Sequence, residues 1–242
     1  MNEIGRLNRY YWRIVNGVKN GAKSIFAPKN IVYVYHHIPK CGGTSLRRAL
    51  AKWFVVKVDV GSPDTPETKI FDVTRMGAMH CLAGHFGRNG YHLAERYPQV
   101  WADRERYKLF TLLRDPLKTK LSLRRYESER DHTDIAALRE HLLERPNYLA
   151  SIFPCNEDNY KEVLDRYEFI GILEHSQESL DQLADFLGKP RVVLPHVNKT
   201  NSGSDTSKLD QALLDEFRET NALDYAIYDY ALSKFEAQRV DT

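Results

Sequence analysis

One short stretch, residues 31–50, constrains the fold of this chain more than any other. It begins as a run of β-branched and aromatic residues, passes through Lys40 and the paired glycines Gly42 and Gly43, and continues with apolar residues at helical spacing. A β-branched and aromatic run favours a strand, and apolar residues three and four apart favour a helix. The stretch therefore predicts a strand, a glycine turn and a helix in direct succession.

The predicted turn has the chemistry of an anion site. Two glycines let the backbone approach a ligand closely, and the start of a helix offers unpaired N–H groups and the positive end of its dipole. Lys40 adds a full charge, and Thr44 and Ser45 add hydroxyl groups. Together these features favour phosphate, while packing alone is the alternative explanation of such a turn.

Composition sets the class of protein. The 242 residues suffice for one substantial core, and their 42% apolar and 28% charged content is typical of soluble globular proteins. A net charge of +2 is not that of a dedicated nucleic-acid binder. We divide the chain into a basic N-terminal segment, 1–30, and a single domain, 31–242.

Residues 1–30 hold most of the charge asymmetry. Six basic residues against Glu3 give this segment a charge of 6 − 1 = +5, which leaves 2 − 5 = −3 for the rest of the chain. Aromatic residues are interleaved with the basic ones, as in a helix that touches an anionic membrane or an acidic substrate. A helix that packs its aromatic side chains on the domain is the alternative.

The cysteines do not form a recognisable framework. Cys41, Cys81 and Cys155 show neither the spacing of a zinc site nor that of a redox pair. No apolar run approaches the ~20 residues of a membrane span, and we see no secretory signal. We expect a soluble, cytoplasmic protein in a reduced compartment.

Alternating strands and helices predict the fold class. Short apolar runs begin at residue 31 and fill 80–87, 109–113 and 169–173, and 53–60 looks like a further strand. Four strands of parallel-sheet type separated by helices predict a three-layer α/β domain with a central, mostly parallel sheet. Helices are expected at 131–145, 156–167, 176–187, 209–220 and 223–235. Ligands of such sheets bind at the carboxyl ends of the strands.

A second anion-binding pattern follows the strand at 109–113. Arg114 comes directly after the strand, Asp115 is a good N-cap, and Pro116 suits the first position of a helix. Ser122 lies nearly two helical turns beyond Asp115, so its hydroxyl returns to the face that Arg114 borders. Guanidinium and hydroxyl groups together suit a phosphate. An Arg114–Asp115 pair of purely structural function is the alternative.

Two further segments end at the same predicted edge. The segment 80–87 is consistent with a strand that delivers His85, which has a glycine on either side, to the edge of the sheet, while His80 at its start fits a structural role. Residues 196–204, with Asn198 among them, form a polar loop of the kind that closes over ligands or merely links helices. The convergence of these ends predicts one nucleotide or phosphate site.

Common nucleotide motifs are missing from the sequence. A Walker A loop places its lysine after the glycines, whereas Lys40 precedes them, and no GK[ST] occurs. The GxGxxG of dinucleotide-binding folds is also missing. An ATP or GTP hydrolase and a dinucleotide enzyme are therefore disfavoured.

The two anion motifs resemble those of one enzyme family. Residues 37–46 resemble the 5′-phosphosulfate loop of PAPS-dependent sulfotransferases, and 113–116 with Ser122 resemble their 3′-phosphate motif. These motifs, with His-x-Pro-Lys and Arg-Asp-Pro, are most similar to those of the carbohydrate branch, including the heparan sulfate 2-O-sulfotransferase type. Residues 84–86 resemble the Gly-His segment of that branch, and 169–171 and 198–200 are also similar to family segments. The resemblance implies a P-loop-like sulfotransferase fold and covers about residues 35–230.

The resemblance also implies roles. Lys40 would contact the bridge between the 5′-phosphate and the sulfate. His85 would be the catalytic base, and His80, His36 and His37 are the alternative candidates for that role. Thr119 departs from the pattern, because many relatives carry a second arginine there. The residues implied in binding PAPS, or its product PAP, are Lys40, Cys41, Gly42, Gly43, Thr44, Ser45, Arg114, Ser122, Asn198, Lys199 and Thr200.

The implied reaction is O-sulfation without a metal. The acceptor would be a hydroxyl, with a saccharide as first choice and a lipid-linked glycan, a small metabolite or a tyrosine as alternatives. A phosphotransferase and a non-catalytic nucleotide-binding module are the rival classes. Peripheral membrane contact through residues 1–30 is a further expectation.

Overall fold

A five-stranded, all-parallel sheet with helices on both faces forms the centre of the protein. The computed structural model describes residues 31–60, 70–87, 92–127, 135–194 and 209–238. The α/β class predicted from the sequence is confirmed. The strands are β1 Val32–His36, β2 Val55–Asp59, β3 His80–Gly84, β4 Tyr107–Leu113 and β5 Phe169–Ile172.

The strands lie in the order β2-β3-β1-β4-β5, and every neighbouring pair is parallel. The count of four parallel-type strands was wrong by one, because β2 also joins the sheet. As an edge strand β2 is only partly covered, and its residues lack the continuous apolar pattern of a central strand.

Helices follow most strands, as predicted. The predicted segments 131–145 and 156–167 contain shorter helices than expected, and three short helices near residues 93–102 and 148–152 were not predicted. The helices are α1 Gly43–Leu50, α2 Leu93–Arg96, α3 Pro98–Ala102, α4 Pro116–Glu127, α5 Ile135–Leu143, α6 Tyr148–Ile152, α7 Tyr160–Asp165, α8 Ser176–Phe186, α9 Gln211–Thr220 and α10 Ala222–Ala237.

Two large apolar clusters cover the two faces of the sheet. Successive residues of a strand point to opposite faces, so Val34 and Tyr35 of β1 enter different clusters. The Val34 cluster includes residues of α6, α7 and α10, and the Tyr35 cluster includes residues of α1 and α8. Helices, sheet and helices therefore form three layers.

The strand order creates a crevice at one edge. From β1 the chain moves to β2 on one side of the sheet, whereas from β4 it moves to β5 on the other side. Neighbouring strands whose connections leave in opposite directions open a crevice at their carboxyl ends, and α/β proteins bind ligands there. In this protein the crevice lies between the ends of β1 and β4.

Some predictions fall outside the described residues. They concern the basic segment 1–30 and the loop with Asn198, Lys199 and Thr200. Within the described ranges, none of the helices combines the length and the apolar character needed to cross a membrane.

Candidate functional site

The predicted strand, turn and helix at residues 31–50 are present. β1 ends at His36, the chain turns through residues 37–42, and α1 begins at Gly43. Gly42 is the N-cap residue with a left-handed φ of 78°, and its carbonyl accepts from the N–H groups of Ser45 and Leu46 at 3.1 and 3.2 Å. The first turn of α1 therefore begins at the end of a central strand, beside the crevice.

Close packing surrounds both glycines of the turn. A Cβ on Gly43 would lie 1.8 Å from the imidazole of His37, and one on Gly42 would lie 2.4 Å from Cδ1 of Leu173. No side chain fits at such distances unless its neighbour moves. Packing therefore accounts for the two glycines.

Lys40 has a strained backbone. Its φ of 64° lies in the left-handed region, which is unfavourable for a residue with a side chain. Its ammonium group lies over the ring of Tyr126, 4.4 Å from the centroid, and this ring is 72% exposed. Residues held in this region tend to cluster at functional sites.

Arg114 brings the two predicted anion motifs together. It follows β4 directly, and its Nη1 donates to the carbonyl oxygen of Lys40 at 3.3 Å. This hydrogen bond spans the crevice between the ends of β1 and β4. Two cationic residues therefore lie side by side at the position where the topology places a ligand.

The start of α4 agrees with its predicted capping. The Asp115 carboxylate accepts from the backbone N–H of Lys118 at 2.8 Å, and Pro116 is the first helical residue. In the part of the chain that the structure describes, no ion pair joins Arg114 to Asp115, so the alternative explanation of Arg114 loses its main support. Ser122 lies within α4 and is half-buried.

Cys41 and Thr119 fasten the turn to α4. The Thr119 hydroxyl donates to the carbonyl of Arg114 at 3.4 Å, so the Cys41 thiol donates to Thr119 Oγ1 at 3.9 Å. Both residues are buried, and burial raises the pKa of the Cys41 thiol to about 12. Thr119, where the resemblance implied an arginine, therefore makes an internal contact that holds the turn.

The structure separates the histidines that the sequence left as alternatives. His36 is buried, its Nε2 donates to the carbonyl of Phe86, and its Nδ1 accepts from the hydroxyl of Tyr167 at 2.7 Å. Burial lowers the pKa of His36 to about 3. With both nitrogens bonded inside the core, His36 is a structural histidine.

His80 lies at the wrong edge of the sheet for the site. It is the first residue of β3, whereas His85 directly follows the last one, Gly84. Five strand residues span roughly 16 Å, so His80 and His85 lie at opposite edges. The Nδ1 of His80 also accepts from the backbone N–H of Gly77 at 3.3 Å.

His85 lies at the carboxyl edge and contacts the turn through His37. The ring centroids of His37 and His85 are 4.0 Å apart, and the backbone of Gly43 lies against the ring of His37. Burial, together with the nearby charges of His85 and Arg47, lowers the pKa of His37 to about 3. His37 is therefore neutral at physiological pH.

A buried ion pair holds the neighbouring strand end. Asp59, the last residue of β2, pairs in register with Gly84 and accepts from Arg96 Nε and Nη2 at 2.6 and 2.9 Å. The Tyr97 hydroxyl donates to the same carboxylate at 2.5 Å. A bidentate pair with a further donor fixes the backbone beside His85.

Two residues that contact this site were not predicted from the sequence. The ring of Tyr126 contacts Lys40, and Glu174 accepts from the backbone N–H of Asp115 at 3.3 Å. Both contacts join segments far apart in the chain, and no local pattern signals them.

Comparisons with known proteins add no family. No protein-family model matches the chain, and no curated protein is similar to it in sequence. In the described part of the chain, no three His, Cys, Asp or Glu side chains are grouped so that they could hold a metal ion. The geometry of the crevice is therefore the structural guide to function.

Proposed function

We propose that this protein is a sulfotransferase that moves the sulfuryl group of PAPS to an acceptor hydroxyl, with a carbohydrate as the first-choice acceptor. The observation that carries the proposal is the hydrogen bond from Arg114 to the carbonyl of Lys40. It joins the turn proposed for the 5′-phosphosulfate to the residue proposed for the 3′-phosphate. A ligand with phosphates at both ends of a ribose needs two such anion sites close together.

The proposed binding roles follow the chemistry of each group. The N–H groups at the start of α1, with the hydroxyls of Thr44 and Ser45, suit the 5′-phosphate, and the positive end of the helix dipole favours its charge. The Arg114 guanidinium suits the 3′-phosphate, and Ser122 on α4 would supply a hydroxyl. We also propose that the α/β domain has a P-loop-like sulfotransferase fold.

The proposed reaction is an in-line transfer. His85 takes the proton of the acceptor hydroxyl, whose oxygen forms a new bond to the sulfur as the bond between sulfur and the bridging phosphate oxygen breaks. PAP leaves with that oxygen, Lys40 stabilises the charge developing on it, and the proton on His85 passes to water. The step uses no metal.

Ligand-dependent stabilisation tests the donor. A ligand that binds only the folded protein raises its melting temperature. We expect PAP to stabilise the protein, ATP to do so weakly and Mg²⁺ to add nothing to ATP. Stabilisation by ATP with Mg²⁺ but not by PAP would favour the phosphotransferase alternative.

Transfer itself is tested with radiolabelled PAPS and a fractionated cell extract. We expect label in a glycan fraction; label in lipid, in a small metabolite or on tyrosine would keep the enzyme class and replace the acceptor. PAP binding without transfer to any fraction would favour the non-catalytic binding module.

A further inference from the structure

His37 is enclosed by the site but has no role in the proposed reaction. Its side chain is 9% exposed and stacks on the ring of Tyr35, with centroids 5.5 Å apart and an interplanar angle of 15°. On its other sides lie the imidazole of His85 at 4.0 Å and the backbone of Gly43. One ring therefore touches the strand core, the candidate base and the first residue of α1.

The backbone of His37 ties the same parts together. Its N–H donates to the carbonyl of Gly84 at 2.8 Å, and Gly84 is the residue immediately before His85. The side chain and the main chain of His37 therefore both contact the segment that carries His85. A shift of His37 would move this segment relative to the turn.

We propose that His37 is a positioning residue that holds the imidazole of His85 against the turn at the start of α1. This inference rests on the proposed function, because it assigns the orientation of the proposed base. The flat face of the His37 ring restricts rotation of the neighbouring imidazole, and the absence of a side chain on Gly43 makes room for His37. His37 acts through His85 and does not touch the acceptor.

The neutral state of His37 suits this task. When His85 accepts the proton of the acceptor, a neutral aromatic face beside it stabilises the new cation, whereas a second imidazolium would repel it. The ring, and not its nitrogen atoms, therefore carries the proposed function. A phenyl ring at position 37 should replace it.

Two substitutions separate the ring from its nitrogens. We expect His37→Ala to lower kcat on the order of 10–100-fold, because a base displaced by a fraction of an ångström transfers protons poorly, while the KM for PAPS stays within about threefold. His37→Phe should recover most of that loss. His80→Ala is the matched control, because His80 lies at the opposite edge of the sheet, and we expect wild-type kcat.

A spectroscopic measurement makes the inference independent of turnover. Rotation of an imidazole averages the dipolar interactions of its C–H bonds, so ¹³C relaxation of the His85 ring reports whether the ring is held. We expect a rigid His85 ring in the wild type and in His37→Phe, and a more mobile ring in His37→Ala. Urea unfolding of each variant verifies that it is folded.

The outcomes are distinct. Wild-type kcat and an unchanged His85 signal in His37→Ala would overturn the positioning role and leave the sulfotransferase proposal intact. Loss of kcat in His37→Phe equal to that in His37→Ala would also overturn it, because an aromatic ring at position 37 would then not be sufficient. A wild type that binds PAP but transfers no sulfate would refute the proposed function, and the ¹³C relaxation of the His85 ring would still decide whether His37 holds His85.

Discussion

The left-handed backbone of Lys40 allows its conformation and its charge to be tested separately. At a φ of 64°, a residue with a Cβ pays roughly 1–2 kcal/mol that glycine does not. Glycine loses part of this advantage, about 0.5–1 kcal/mol, through the greater freedom of the unfolded chain. We therefore compare Lys40→Gly with Lys40→Ala, two variants that lack the same ammonium group.

We expect Lys40→Gly to be more stable than Lys40→Ala by about 0.5–1 kcal/mol, or about 1–4 °C in Tm for a chain of this size. The contact of Lys40 with the exposed ring of Tyr126 is lost in both variants, so it cancels in the comparison. Both variants should lose at least about 10²-fold in turnover, because neither can stabilise the leaving phosphate. Urea unfolding and the transfer assay measure the two effects.

A helical lysine provides the control. Lys234 lies inside α10 and pairs with Asp165 at 2.5 Å, and this pair is lost equally on substitution by glycine or alanine. Lys234→Gly should be less stable than Lys234→Ala by about 1 kcal/mol, which is the opposite order to that expected at position 40. If Lys40→Ala were as stable as Lys40→Gly, the left-handed conformation would be wrong. Wild-type turnover in Lys40→Gly would remove Lys40 from the mechanism.

Three more predictions concern the crevice and the core. His85→Ala should lose on the order of 10²–10⁴ in turnover and still bind PAP by calorimetry, and wild-type turnover would remove it as the base. Arg114→Ala should weaken PAP binding in the same measurement, and unchanged affinity would refute the 3′-phosphate assignment. His36 has a pKa lowered to about 3 in the folded protein against 6.5 unfolded, so its contribution to stability is complete above pH 6.5 and is lost as the pH falls toward 3. At pH 5 this loss is about 2 kcal/mol relative to pH 7.5, and urea unfolding of His36→Gln should lack that part of the pH dependence; the same slope in both proteins would contradict the buried neutral histidine.

Local patterns predicted the elements of the site well. The strand, glycine turn and helix at residues 31–50 and the Asp115 cap of α4 were found at their predicted positions. Each depends on interactions within a few residues, which periodicity and capping rules describe. Boundaries were less accurate for the surface helices near 131–145 and 156–167, where tertiary packing decides how far a helix extends.

The histidines show what local patterns cannot decide. His36 and His37 are adjacent in the sequence, yet His36 is bonded within the core while His37 stacks on His85 at the edge. Adjacent residues of a strand face opposite sides of the sheet, so their roles depend on which helices cover each face. The burial of His36 depends on residues more than 100 positions away in the chain, such as Tyr167.

The sequence by itself determined the α/β class, the turn with Lys40 and its glycines, and the helix that starts at Pro116, because these follow from backbone propensity and short-range hydrogen bonds. Only the tertiary structure decided that β1 and β4 are neighbours with diverging connections, that Arg114 donates to Lys40 across the crevice between them, and that His37 lies between His85 and Gly43. Strand order is a property of the whole sheet, and it alone brings residues distant in the chain to one edge.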